Sequence, residues 1–299
     1  MPTDHRIVAY HQTHGHGDTF VDLSPLGASA PLTHLIVAAL HIADDGTVIL
    51  NDHPVDDDYH TQLWDQLDAV RSRGVRVLAM VGGWAPGTMC KLDGESLSIY
   101  YPGLRDFLTQ RHFDGIDIDW EYPVACGIEC GKPEDNANFT ALMAEFRRQL
   151  DAVRPGLLLT VAVGAGIDKI RVTDPAAYHP YLDYINVMTY DFHGAWDAKT
   201  NHQSALFDSP NDPSTGDQKL YNSNDAIEAF ISRGVPAAKL NLGIGYYGRG
   251  WTGVANANNG LYQTATGAAP GTYEAGIEDW KVLKNLAWPG YTDNTAGAL

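Results

Sequence analysis

Basic residues are in short supply. Lys and Arg together number 20 against 37 Asp and Glu, a formal net charge of −17. The average field of such a surface repels polyphosphates and anionic bilayers alike, so nucleic acid and membrane are poor partners. Cysteine is scarcer still. Cys90, Cys126 and Cys130 are the whole complement, an odd number and too few for a disulfide-built fold. Cys126 and Cys130 bracket a short Gly-containing loop and could close on one another, or Cys90 could pair with either. The absence of a Cys-x-x-Cys pair argues against a zinc knuckle. No run of 18 apolar residues offers a membrane span, and no basic-then-apolar leader precedes the first predicted strand. Gly164-Ala165-Gly166 lacks both phosphate-binding signatures, which argues against a nucleotide loop. No repeat, heptad or block of like charge is evident.

What is present is length, core material and aromatic surface. The 299 residues, 44% hydrophobic, suffice for one large α/β domain or two smaller ones. The 7 Trp and 15 Tyr offer faces on which flat sugar rings can stack. A neutral polymer needs no charge attraction, so the acidity is compatible with such a substrate. Asn138-Phe139-Thr140 fits an N-glycosylation acceptor, which matters only in a eukaryotic secretory setting. The segment His11–Asp18 holds His11, His14, His16 and Asp18 and invites a metal reading. Its Gly-rich spacing defines no ligand geometry, and loop histidines serve equally as hydrogen-bonding or sugar-binding groups.

Apolar runs predict strands over residues 6–10, 33–40, 75–81, 157–163, 184–190 and 239–245, with a further acidic strand near 114–121. The run at 35–39 is nearly continuous, as in a buried parallel strand. Between them, helices are predicted over 22–28, 56–73, 97–111 and 133–153. A later one is capped by Asn224 and runs to Arg233, and a short one lies within 276–286. Leu63, Leu67 and Val70 mark one apolar face, Tyr100, Leu104, Phe107 and Leu108 the next. Phe139, Leu142, Met143, Phe146 and Leu150 mark a third. Strands alternating with helices predict a (β/α) barrel with its site at the C-terminal strand ends; an open doubly wound sheet is the alternative.

The chain is organised around Asp114-Gly115-Ile116-Asp117-Ile118-Asp119-Trp120-Glu121-Tyr122-Pro123. Strand side chains alternate, so the carboxyls at 117, 119 and 121 can share one side while Ile116 and Ile118 take the other. Crowded like charges should raise at least one proton affinity, as an acid catalyst near neutral pH requires. This stretch resembles the DxxDxDxE signature of the family 18 glycoside hydrolases, the chitinase family. Asp114, Asp117, Asp119 and Glu121 fill its four acidic positions. Gly82-Gly83 resembles the family's SxGG element, with Met80 in the serine's place. Met188-Thr189-Tyr190-Asp191 resembles its MxYD element, and Tyr246-Tyr247-Gly248-Arg249 its YxGR element. The likeness covers most of residues 6–251 and runs more loosely to about 291.

The resemblance implies a (β/α)8 TIM barrel over residues 1–299, with a partial α+β insertion at 247–291. The eighth strand, with its pocket-floor tryptophan, is not identifiable in 252–299. It implies endo-type hydrolysis of β-1,4-linked N-acetylglucosamine polymers, chitin and its oligosaccharides, by retaining, substrate-assisted catalysis. Glu121, Asp119, Asp117 and Tyr190 would be catalytic. Asp191, Trp84, Tyr10, Tyr246, Arg249, Trp251 and Tyr122 would bind substrate, and Asp114 would anchor the strand-loop backbone. No metal or organic cofactor is required. Alternatives are an endo-β-N-acetylglucosaminidase acting on N-glycans and a non-catalytic chitin-binding, lectin-like protein. The family also implies secretion, and a monomer unless an open barrel edge drives association.

Overall fold

The computed structural model describes residues 5–12, 14–15, 19–20, 22–23, 25–26, 31–43, 47–50, 53–55, 58–84, 104–287 and 289–298. The chain forms two compact units, one of residues 1–163 with 177–185 and the other of 164–176 with 186–299.

The first unit is built on parallel strands. These are β1 (Val8–Gln12), β2 (His34–Ile42), β3 (Arg76–Gly82), β4 (Gly115–Asp119) and β5 (Leu158–Gly164). Successive strands are neighbours, and β5 is followed in the sheet by the start of β6 (Tyr184–Met188). The register places Met80 opposite Asp117 and Asp117 opposite Thr160. Residues 40–42 of β2 also pair antiparallel with Val48–Leu50, so the sheet is mixed. Between the strands run α1 (Thr61–Arg71), α2 (104–110) and α3 (Asp135–Val153). Leu63, Leu67 and Val70 of α1, Leu104, Phe107 and Leu108 of α2, and all five predicted apolar residues of α3 are buried. These are the faces that the 3.6-residue period marks out.

On the opposite side of the sheet Ile36, Leu78, Met80, Leu158 and Tyr184 form a buried cluster, joined by Val8, Ala38 and Ala39. Met80, which departs from the family's serine, is therefore core material in this layer, 6% exposed. Gly115 marks the tightest approach of β4 to β5. A β-carbon there would sit 2.2 Å from the Leu158 carbonyl oxygen, so no larger residue fits without parting the two strands.

In the second unit β6 continues beside β7 (Leu240–Leu242). The Val187 carbonyl accepts from Gly243 N–H at 2.9 Å, and Asn241 Nδ2 donates to Asn186 Oδ1 at 2.8 Å. Short helix α4 (Ile167–Val172) packs on α5 (Ser223–Ser232), which buries Ala226 and Phe230. Beyond β7, Tyr247–Arg249 pairs antiparallel with Ile277–Asp279, and Trp251–Thr252 with Gly267–Ala268. Among the described residues, no strand after β7 joins the sheet that contains it.

Two expectations are corrected, and a third is narrowed. Asn222, not Asn224, caps α5. It is extended, and its side-chain oxygen accepts from Asp225 N–H at 2.9 Å, whereas Asn224 already lies in the first turn. The short helix expected within 276–286 is Trp280–Leu283, and residues 277–279 before it form a strand because Tyr247–Arg249 pairs with them. Pro25 and Leu26 form a turn and Asp22 and Leu23 are not helical, so no helix spans the described part of 22–28. Asp44-Asp45-Gly46, Cys90, Tyr100, His16 and Asp18 lie outside the described residues.

Candidate active site

The acidic strand earns its burial by hydrogen bonding. Asp114 precedes β4 and accepts the Val77 N–H on Oδ2 at 2.9 Å, while its own N–H donates to the Val77 carbonyl at 2.7 Å. It ties β4 to β3, the anchoring role the sequence suggests. Asp117 has no exposed surface. Tyr10 Oη donates to its Oδ2 at 2.9 Å, and Thr160 Oγ1 donates to its Oδ1. A buried carboxyl with a donor on each oxygen is well compensated.

Asp119, one pleat on, is differently placed. It is 7% exposed, and its Oδ1 is buried with no hydrogen-bond partner among the described residues. Burial, then the neighbouring carboxyls of Glu121 and Asp117, push its proton affinity well above the ordinary aspartate range. The crowded acids expected to raise an affinity contribute here, but burial is the larger cause. Glu121 follows just beyond the strand end and is partly exposed, so it has access to solvent that Asp117 lacks. The Glu121–Tyr122 peptide bond is cis.

A short loop lies against this carboxylate-bearing segment. Of the pairings open to the sequence, the structure has Cys126 with Cys130. The loop they close carries Gly127, where a β-carbon would sit 2.4 Å from the Glu121 carbonyl oxygen and 3.0 Å from the Trp84 ring. Trp84 is 59% exposed and meets Tyr122 edge-on, with ring centroids 6.4 Å apart. Trp120 instead packs edge-on against Phe139 of α3. Tyr10 keeps a 41% exposed ring while its hydroxyl is committed to Asp117. In the first unit, then, Tyr10, Trp84, Asp117, Asp119, Glu121 and Tyr122 all stand on or beside β4.

The second unit assembles the other predicted residues. Tyr190 and Asp191 follow β6, and Asp191 has left-handed backbone, φ 58°. Its carboxylate accepts from Arg249 Nε at 2.8 Å. Burial opposes the charge on Arg249, but the bond to Asp191 more than restores it. The Tyr247 hydroxyl is held protonated by burial first and then by the Asp191 charge to which it hydrogen-bonds. Its ring meets Tyr190 edge-on at 6.1 Å. Trp251 donates its indole N–H to the Gly194 carbonyl at 3.1 Å, and Tyr246 points outward, 78% exposed.

Two residues here escaped the sequence reading. Tyr247 rather than Tyr246 touches Asp191, and strand alternation through Tyr247–Arg249 could have signalled it. Trp196 is 59% exposed and backed by the Arg249 guanidinium, 4.8 Å from its ring centre. Its position five residues after Asp191 was the available hint. Among the described residues, no group of three or more His, Cys, Asp or Glu is arranged to hold a metal ion.

The family model described as "Glycosyl hydrolases family 18" matches residues 6–298. The chain belongs to glycosyl hydrolase family 18. This family 18 chain is 48% identical over 235 residues to Chitinase C of Streptomyces lividans, covering 74% of itself and 36% of that protein. It is 35% identical over 264 residues to Chitinase A1 of Niallia circulans, covering 80% and 38%. It thus spans well under half the length of these curated relatives. Among solved structures it is similar to the Ostrinia furnacalis Group IV chitinase in complex with allosamidin. That similarity has a TM-score of 0.82 at 30% identity, over 97% of this chain and 81% of the other.

Proposed function

We propose that this family 18 chain hydrolyses β-1,4-linked N-acetylglucosamine polymers, chitin and its oligosaccharides, in an endo-type, retaining reaction assisted by the substrate's acetamido group. Glu121 protonates the glycosidic oxygen, and the acetamido oxygen attacks C1 from the opposite face. The leaving sugar departs and an oxazolinium ion forms. Glu121, now a carboxylate, takes a proton from water as that water attacks C1, which restores the β anomer. Asp119 orients the acetamido N–H and stabilises the positive intermediate, and Asp117 supports it from within. Tyr190 hydrogen-bonds the acetamido carbonyl and Asp191 positions the sugar. The internal nucleophile replaces the second carboxylate of the usual scheme.

The observation that carries this reading is the state of Asp119. Its neighbour Asp117 has both oxygens satisfied, whereas Asp119 keeps one buried oxygen without a hydrogen-bond partner among the described residues, and a raised proton affinity beside Glu121. An acid strand arranged this way holds a proton more readily than a free aspartate and offers an acceptor for an N–H donor. The relatives named chitinase support the substrate class. The same reading carries the (β/α)8 barrel, supported by the parallel order β1 to β5 and by Gly82 and Asp119 at adjacent strand ends. It also carries secretion, supported by the solvent-exposed Cys126–Cys130 disulfide, which belongs in an oxidising compartment.

The test is Glu121→Gln assayed on a chitin hexamer. The variant should bind oligosaccharide about as well as the parent while turnover drops roughly 10²–10⁴-fold, the range for a lost general acid. Turnover equal to that of the parent would overturn the assignment. Release of high-mannose N-glycans by the parent, with no cleavage of chitin oligomers, would move the substrate assignment to N-glycans.

A further inference from the structure

We infer that Gln203 is a positioning residue for Asp191, and thereby sets how the sugar-binding carboxylate is aimed; this rests on the reading of Asp191 as a site residue. Asp191 needs such help. Its φ of 58° lies in the left-handed region that L residues rarely adopt, and it sits in irregular backbone three residues past the end of β6. A backbone in that conformation persists where its surroundings hold it.

Gln203 makes three hydrogen bonds that do this. Its side-chain oxygen accepts the Asp191 N–H at 3.1 Å, and its main-chain carbonyl accepts the next N–H, that of Phe192, at 3.0 Å. Its side-chain nitrogen donates to the Tyr247 carbonyl at 3.0 Å. Tyr247 opens the strand whose hydroxyl and guanidinium, on Tyr247 and Arg249, both reach the Asp191 carboxylate. One amide therefore fixes the backbone from which the carboxylate hangs and the strand that grips its far end. Other ties on this segment act elsewhere, among them Thr189 Oγ1 to the Gly243 carbonyl and Trp251 to the Gly194 carbonyl. Because the Asp191 N–H lies near solvent, water can satisfy it when the amide is gone. The fold tolerates the loss and the carboxylate's aim does not.

The test uses the full chain with Gln203→Met, which keeps length and loses both side-chain bonds, and Gln203→Glu, which keeps the acceptor for Asp191. Amide exchange followed by NMR should show the Asp191 N–H losing protection in Gln203→Met and keeping it in Gln203→Glu. The Phe192 N–H, held by the main chain, should be unchanged in both. Chitin-hexamer kinetics should show Gln203→Met losing roughly 10–100-fold in kcat/KM. The same substitution made on Asp191→Ala should cost no more than about twofold, because a residue acting only through Asp191 has nothing left to position. Unaltered exchange at Asp191, or equal losses in both backgrounds, overturns the inference. If the parent cleaves no chitin oligomer, the functional reading fails, and the exchange arm still decides whether Gln203 holds Asp191.

Discussion

Replacing Tyr10 by phenylalanine removes one oxygen and leaves a ring that is already 41% exposed, so almost no packing is lost. What goes is the donor 2.9 Å from Oδ2 of Asp117, a carboxyl with no exposed surface. Hydrogen bonds to charged groups are worth about 1.5–3 kcal/mol, and the cost tends to the upper end when the acceptor is left buried and unmet. That loss is a sizeable part of a folding free energy of about 5–15 kcal/mol. At about 2–4 °C per kcal/mol for units of this size, Tm should fall by roughly 3–12 °C. Thr160→Val removes the donor on the other oxygen and should act in the same direction. The two losses should not add simply, since both donors serve one carboxylate. Urea unfolding of the parent, the two single variants and the double variant measures all of this, with the m-value as a check that the unfolded state is unchanged. A Tyr10→Phe variant within about 0.5 kcal/mol of the parent would refute the account of how Asp117 is held.

Two further outcomes follow from the same strand and its loop. A carboxyl whose folded-state proton affinity is raised, as at Asp119, favours folding fully only below its unfolded value of about 4, and that contribution drains away as pH rises through the folded value. Asp119→Asn should therefore gain stability relative to the parent as pH climbs from about 4, and a Tm difference that stays flat with pH would contradict this. Trp84→Ala should weaken hexamer binding by about 0.5–2 kcal/mol and dimer binding less, as measured by calorimetry. Gly127→Ala, whose added methyl meets the Glu121 carbonyl and the Trp84 ring, should reproduce part of that loss; equal effects on dimer and hexamer would make Trp84 a packing residue.

The strands and helix faces were legible because they depend on local periodicity. Seven strand segments sit within a few residues of their expected places, and Phe139 through Leu150 bury the face that the spacing marks. The alternation of Asp117 and Asp119 with Ile116 and Ile118 likewise follows from the pleat. What escaped was whatever depends on distant partners. The Tyr10 hydroxyl and Asp117 are 107 residues apart, and no local pattern announces that bond. Residues 277–279 become strand only because Tyr247–Arg249 offers them an edge. Asn222 outcompetes Asn224 as a cap because its N–H and that of Ser223 are already engaged by Leu220 and Ala205, which fixes where the helix can start. Tyr247 opens the strand that pairs with Ile277–Asp279 while Tyr246 lies just before it, and where that strand begins is set by the distant pairing.

The central claim is that the acetamido oxygen of the substrate is the nucleophile and that Glu121 delivers water to the face from which the leaving sugar departed. Proton NMR of the earliest product of chitin-hexamer cleavage, recorded before mutarotation, tests it most directly. The account predicts that the newly formed reducing end appears as the β anomer. Predominant α anomer in the first spectra would contradict it.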